Sequence, residues 1–339
     1  YPAVPTGGGY GTVTVRFEGQ PMEVTPYRVD GSSLDHRHPE EVRLARSLEE
    51  DLCRRDFTIN GMACSREGRV VDLFGGLSDL HAGVLRPIGA GERRFFEDAL
   101  RILRGFRFSA QLGFRMTGGA LDAAEACGEY LRQVSAERIW GELKKMLAAE
   151  PAEPLSQMGA RGILHWILPA YSGKVREGIR RVSGLNLGPQ ERVTLRLAIL
   201  FAQMPFPQAE ERLERLRLEG RVRESVLRLL RARELPFPTG QAELKRRMDR
   251  QTPEGLLRWL YFQECRGFSG CRVLRRECRQ ILDNGECWSV RMLAIGGREL
   301  AARGLRGAEI GHTLALLLEE VRTGRVENQA EELIRFLEK

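Results

Sequence analysis

No stretch of this 339-residue chain approaches the ~18 consecutive apolar residues of a membrane span; the best runs, Leu197 to Ala202 and Leu314 to Leu318, are short. That excludes a helical integral membrane protein. No basic start followed by an apolar stretch and a small-residue cleavage site is present either. Seven cysteines, at 53, 64, 127, 265, 271, 278 and 287, are scattered without a C-x-x-C pair. A disulfide framework or a zinc knuckle needs tighter spacing, so reduced thiols and a cytoplasmic location are expected. Histidines number only five, and His36 and His38, which straddle Arg37, have no Cys or carboxylate at metal-ligand spacing. With so few histidines, a phosphohydrolase activity is not expected.

Phosphate-binding loops are missing as well. No G-x-x-x-x-G-K-[ST] occurs, and in the run Thr6-Gly7-Gly8-Gly9-Tyr10-Gly11-Thr12 a threonine stands where G-x-G-x-x-G needs its last glycine. That run precedes a strand rather than opening a helix, so it reads as a flexible entry loop. Asp-x-Asp occurs nowhere; the one acidic pair at that spacing, Glu49-x-Asp51, leads into Arg54 and is expected to be structural. The chain starts at Tyr1, without an initiator Met.

What is present suggests about two domains and, with 42% hydrophobic residues, enough material for real cores. Charge is unevenly placed. Residues 1–150 hold 20 Lys+Arg against 22 Asp+Glu, whereas residues 151–339 hold 33 against 24. The positive excess lies in the second half and is mostly Arg, whose planar fork matches phosphate. A nucleic-acid face and merely solvated helix charge account for it equally well on composition.

Val13, Val15 and Phe17 alternate with Thr12, Thr14 and Arg16, Glu18 to Pro21 turn, and Met22 to Arg28 resume the alternation. This predicts a β-hairpin with Glu23 and Thr25 on the face opposite Met22 and Val24. Arg69 to Phe74 reads as a third strand. From Phe95 the period becomes helical, with Phe96, Leu100, Leu103 and Ala110 as an apolar stripe and Gly113 just past the end. Helices are expected at 121–134 and 136–149, with Ser135 as N-cap of the second. After Pro151 and Pro154 they follow at 155–167, 173–184, 189–203, 208–219, 221–233, 240–249, 253–265, 271–283 and 308–322, with Pro205-Phe206-Pro207 and Pro236-Phe237-Pro238 as breaks. The fold class is α+β: a small mixed head followed by an all-α remainder.

Two strings carry chemistry. In Arg54-Arg55-Asp56-Phe57-Thr58-Ile59-Asn60, adjacent arginines suit a triphosphate. Asp56 and Asn60, four apart, are expected on one helix face, where they can hold ribose hydroxyls. A surface helix with a local ion pair is the bland alternative. In the second string, Glu97 and Asp98 lie four and three residues before Arg101 and are expected to converge on one helix face. A carboxylate accepts from an exocyclic base amine and Arg donates to a ring or carbonyl acceptor beside it, so the trio can read base edges. Arg101, Arg104 and Arg107 continue as a stripe for phosphates. Here the alternative is a solvated face with i,i+4 ion pairs.

Together with Glu23-Val24-Thr25, Asp30-Gly31, Asp35 to Pro39, Asp72-Leu73-Phe74-Gly75-Gly76, Leu85 to Gly89, Gly113-Phe114 and Glu137-Arg138-Ile139 with Glu142 and Lys144, these strings resemble the class II tRNA nucleotidyltransferase and poly(A) polymerase family of the DNA polymerase β superfamily. The first 150 residues are covered densely, and Gly307 to Asn328 looks like the family's tRNA-binding tail. The resemblance implies template-independent addition of CMP and AMP to the tRNA 3′ acceptor end from CTP and ATP, with release of pyrophosphate. It assigns Arg54, Arg55, Asp56 and Asn60 to the triphosphate and ribose, and Glu97, Asp98, Arg101 and Arg104 to nucleotide binding and base selection. Its chemistry uses two Mg²⁺ ions.

The family places a glycine-rich strand-turn and an Asp-x-Asp metal pair upstream of the position matching Tyr1, leaving Glu23 as the expected third carboxylate. The chain as given is therefore expected to lack the main metal pair and to be inactive without such a segment. Tyr10 stands where the family usually has His. The expected division is a partial nucleotidyltransferase head over 1–76, a helical nucleotide-selecting neck over 77–150, and an all-α body and tail over 151–339 that binds tRNA. Poly(A) polymerase is the rival within the same chemistry, and a non-catalytic RNA-binding protein is the rival outside it.

Overall fold

The computed structural model describes residues 3–7, 12–30, 42–168 and 172–338. The glycine loop from Gly8 to Gly11 with Tyr10, the Gly31 turn, and Asp35 to Pro39 with His36 and His38 lie outside the described residues. Two compact units are present, Tyr1–Arg223 and Glu224–Lys339. No helix among the described residues is long and apolar enough to cross a membrane, and all seven cysteines are free thiols.

The first unit opens with an antiparallel sheet in which β2 (Thr12–Phe17) is flanked by β1 (Ala3–Gly7) and β3 (Gln20–Val24). The hairpin forms as its alternation predicts. Glu18 and Gly19 both take positive φ, 47° and 80°, which suits the tight turn between right-twisted strands. It ends sooner than expected: Arg28–Asp30 is a separate strand, β4, paired with β5 (Val42–Leu44). The strand expected over 69–74 is Val70–Asp72 (β7), antiparallel to β6 (Met62–Cys64).

Helices α1 (Leu48–Cys53), α2 (Gly76–Ala82), α3 (Gly91–Glu97) and α4 (Leu100–Leu112) build the framework of the site. A short parallel pair, β8 (Val84–Leu85) and β9 (Arg115–Met116), lies beside α4. Gly113 closes α4 in the left-handed conformation. The helix expected to run on from Phe95 is interrupted, because Asp98 is extended (φ −152°, ψ 102°) and its Oδ1 accepts from Leu100 N at 3.1 Å. The apolar stripe therefore changes phase at the break. Phe95 is fully buried, while Phe96 is 46% exposed and does not belong to the core. Gly105 is where α4 meets Phe57: a Cβ there would sit 2.9 Å from the Phe57 ring and 3.1 Å from Met116.

The predicted helix 121–134 is α5 (Gly118–Ala126) followed by a 3₁₀ segment, Gly128–Gln133. Helix α6 (Ala136–Ala148) starts after Ser135 as expected, although the serine makes no side-chain cap bond. Next come α7 (Ala152–Ala160), which gives way to 3₁₀ at Ile163–Trp166, then α8 (Gly173–Ser183), α9 (Pro189–Phe201) and α10 (Phe206–Arg215). Pro205 and Pro207 break α9 from α10 by opening the latter, where a missing N–H costs nothing.

Helix α11 (Gly220–Arg231) is followed in the second unit by α12 (Gln241–Gln251), α13 (Pro253–Cys265), α14 (Cys271–Asp283), α15 (Gly297–Ala302), α16 (Ala308–Arg322) and α17 (Ala330–Leu337). The short helices α15 and α17 were not expected. They complete a core of Leu300, Leu317, Leu318, Val321 and Leu333.

In the first unit, Arg196 on α9 is fully buried and replaces missing helical partners at the end of α6. It donates to Leu147 O at 2.7 Å, to Ala149 O, and to Ser183 Oγ at 2.7 Å. The first two are carbonyls that a helix C-terminus leaves without intrahelical donors. Arg196→Met keeps the bulk and removes the donors, so urea unfolding should show a loss of about 3 kcal/mol; an unchanged midpoint would contradict the capping role.

Candidate functional site

A cavity of about 1020 Å³ in the first unit is lined by Glu23, Arg54, Arg55, Asp56, Asn60, Asp98, Arg101 and Arg104 among others. Glu97 is not on that wall, but its carboxylate holds Arg101 at the cavity's edge.

One buried carboxylate organises the arginine pair. Asp51, 3% exposed, accepts from Arg54 at 2.7 Å on Oδ1 and from Arg55 at 3.1 Å on Oδ2, with Arg28 N–H also on Oδ1. Burial works to raise its pKa, yet these donors outweigh burial and hold it below the ordinary Asp value. Arg55 also donates to Asn60 O at 3.0 Å. In the acidic spacing Glu49-x-Asp51, the second residue aims both arginines, while Glu49 is exposed.

Asp56 and Asn60 do meet, but not on a helix face. Helix α1 has ended by then, and Thr58–Asn60 is a 3₁₀ turn that brings Asn60 Nδ2 to 3.0 Å from Asp56 Oδ1. Asp56 also accepts from its neighbour Phe57 N–H at 2.8 Å and from Arg104 Nε at 2.7 Å. The turn is braced from behind. Thr58 donates to Asp79, Arg86 donates to the same carboxylate, and a Cβ on Gly76 would lie 2.3 Å from Thr58 O. Asp72, accepting from Gly76 N–H at 2.8 Å and Leu77 N–H at 2.9 Å, fixes the start of α2 against this turn.

On the other wall, Arg101 reaches three acceptors: Glu97 Oε2 at 2.9 Å, Arg94 O at 3.0 Å and Arg54 O at 2.8 Å. Arg94 shares the Glu97 carboxylate at 2.8 Å. The expected convergence of Glu97, Asp98 and Arg101 is only partly realised. Because Asp98 breaks the helix, its Oδ2 accepts from Arg138 on α6 at 2.8 Å rather than from Arg101. Arg138 lines the same cavity and belongs to the site. Its 40-residue separation hides it from local pattern, although Glu137-Arg138-Ile139 already stood out as a string. Arg107 leaves the expected phosphate stripe altogether: it is buried and bonded to Glu142 and Gln111.

Glu23 stands on the cavity wall from β3 and is exposed. Among the described residues no three His, Cys, Asp or Glu side chains are placed to hold a metal. Oxygen-ligated Mg²⁺ pairs need several carboxylates together, so the described side chains do not by themselves fit a two-metal centre. They do fit an anionic, heterocyclic ligand, with forked guanidinium groups at one side and a carboxylate–arginine array at the other.

The chain matches the model of the poly(A) polymerase head domain over residues 3–86 and that of the probable RNA- and SrmB-binding site of polymerase A over residues 113–174. It is 32% identical to a CCA-adding enzyme of Lactobacillus helveticus over 99% of this chain and 83% of that one. It is 31% identical to a CCA-adding enzyme of Enterococcus faecalis over 99% and 82%. The crystal structure of the Bacillus stearothermophilus CCA-adding enzyme in complex with CTP superposes with a TM-score of 0.77 at 26% identity, covering 100% of this chain and 83% of that one.

Burial works to raise the pKa of Asp56, but Arg104, Asn60 and the Phe57 N–H outweigh it and hold the carboxyl below its ordinary value of 3.8. A depressed folded pKa gives stability that is present above the unfolded value and is lost as pH falls through the folded one. Asp56→Asn should cost about 1–2 kcal/mol at neutral pH, discounted because Arg104 is partly solvated. The gap from wild type should narrow below about pH 4. Urea titrations across pH 2–7 check this; a constant gap would contradict it.

Proposed function

The chain belongs to the family of CCA-adding enzymes, nucleotidyltransferases with a poly(A) polymerase-type head, and on that premise we propose that it adds CMP and AMP to the 3′ end of tRNA from CTP and ATP, releasing pyrophosphate. The observation that carries this reading is the single cavity whose walls gather the triphosphate, ribose and base candidates. Arg54 and Arg55, aimed by Asp51, hold the triphosphate. Asp56 and Asn60 face the ribose, with Arg104 keeping the Asp56 carboxylate ionised and oriented. Arg101, backed by Glu97, and Asp98, held by Arg138, present donors and acceptors to the base edge in place of a nucleic-acid template. We place the head at 1–76, the nucleotide-selecting neck at 77–150 and the tRNA-binding remainder at 151–339, in a cytoplasmic protein.

Mg²⁺ would supply charge stabilisation to such phosphoryl chemistry if bound; Glu23 is the one carboxylate we assign to it, and the described side chains do not by themselves hold the ion. The roles of the other residues are binding and selection. Poly(A) polymerase is the second reading, supported by the head-domain match.

The test uses a tRNA lacking its 3′ CCA, with Mg²⁺ and all four nucleotides. Addition of C, C and A supports CCA addition; a long A tract would replace it with the polymerase reading. Binding without incorporation accords with the lack of a two-metal carboxylate set among the described residues and would favour the non-catalytic RNA-binding reading for this chain. Nucleotide binding tests the site residues separately. Arg101→Ala should cut the preference for CTP and ATP over UTP and GTP about tenfold or more. Arg54→Ala should weaken all four alike, since the Arg54 group that Arg101 uses is the backbone carbonyl; a base-dependent loss there would contradict a triphosphate role.

A further inference from the structure

One side chain in the cavity wall has no place in nucleotide recognition as described. Arg101, Arg104 and Phe108 follow one another along the same face of α4, and all three line the cavity. Phe108 is only half-buried, so part of its ring meets the cavity rather than the core. The ring is held in place from behind. The Arg107 guanidinium lies 3.8 Å from its centroid, and Arg107 is itself fixed by Glu142 and Gln111. The edge of the Phe57 ring packs at 6.0 Å with an interplanar angle of 86°. A half-buried aromatic ring in the wall of a basic cavity, with the Arg107 guanidinium against it and that of Arg104 5.6 Å from its centroid, is a surface that a planar π system can share.

Seven residues of helix separate Phe108 from Arg101, about 10 Å along the axis. A base read at Arg101 and Asp98 therefore does not reach Phe108, and the ring is available to a second base. Resting on the proposed tRNA-directed function, we propose that Phe108 is the stacking platform for the unpaired 3′-terminal base of the RNA, positioning that end beside the bound nucleotide. Proteins that hold single-stranded RNA ends commonly splay the bases out and stack them on aromatic side chains. Such stacking tolerates any base, as an end that changes identity with each addition requires. Phe108 is a positioning residue in this account, with no part in proton or phosphoryl transfer.

The test uses the full chain and an acceptor-stem minihelix carrying 2-aminopurine as its 3′-terminal nucleotide. Binding to the wild type should quench the probe. Phe108→Leu, which keeps an apolar side chain against Phe57, should abolish the quenching and weaken minihelix affinity about tenfold, with CTP affinity unchanged. Phe108→Trp should restore both. Quenching that survives in Phe108→Leu, or a minihelix that binds the wild type without quenching, would overturn the platform while leaving the RNA-directed function standing. Failure of the minihelix to bind the wild type at low salt would overturn both.

Discussion

The Arg101 guanidinium is the joint on which the site depends. It begins on α4, closes on the Glu97 carboxylate and the Arg94 carbonyl at the end of α3, and crosses to the Arg54 carbonyl after α1. Three acceptors from two separate stretches of chain leave this side chain little freedom. Because one of them is the backbone of a triphosphate candidate, the walls we propose for base and phosphate share a common anchor. The Asp56–Arg104 pair one turn further along α4 repeats the device. Both bonds are charge-assisted, and both join the strand-and-turn layer to the helical one.

Around that joint the chain spends several buried ionic groups. Asp51, Asp56 and Asp79 are each nearly inaccessible, and each is satisfied by an arginine. Burying a carboxylate costs free energy unless donors replace its water. The arrangement fixes geometry more than it adds stability. Template-free base selection requires such rigidity, because the protein itself must supply the pattern that a complementary base supplies elsewhere.

Much of this was legible in the sequence. The hairpin followed from strict alternation, the end of α4 from Gly113, and most of the cavity's charged wall from two short strings, though Glu97 is not on that wall and Arg138 is. The failures share one cause, long-range or side-chain capping interactions that local periodicity does not register. The helical period runs unbroken through Asp98, whereas the chain breaks there on a local bond from Leu100 N–H to the Asp98 carboxylate. Arg138 and Glu142 lie 40 and 35 residues from the partners they hold, Asp98 and Arg107. No spacing rule joins them. Asp56 and Asn60 were brought together correctly, but by a turn braced through Asp79 rather than by helical geometry.

Hydrogen–deuterium exchange with and without CTP tests the central claim most directly, because it locates the nucleotide without assuming any catalytic step. The account predicts protection confined to two stretches, residues 51–60 and 97–108, with loss of protection in both when Arg101 is replaced by Ala. Protection centred elsewhere, such as the apolar groove around Trp140 and Val193, or an Arg101→Ala protein in which residues 51–60 stay protected, would contradict it.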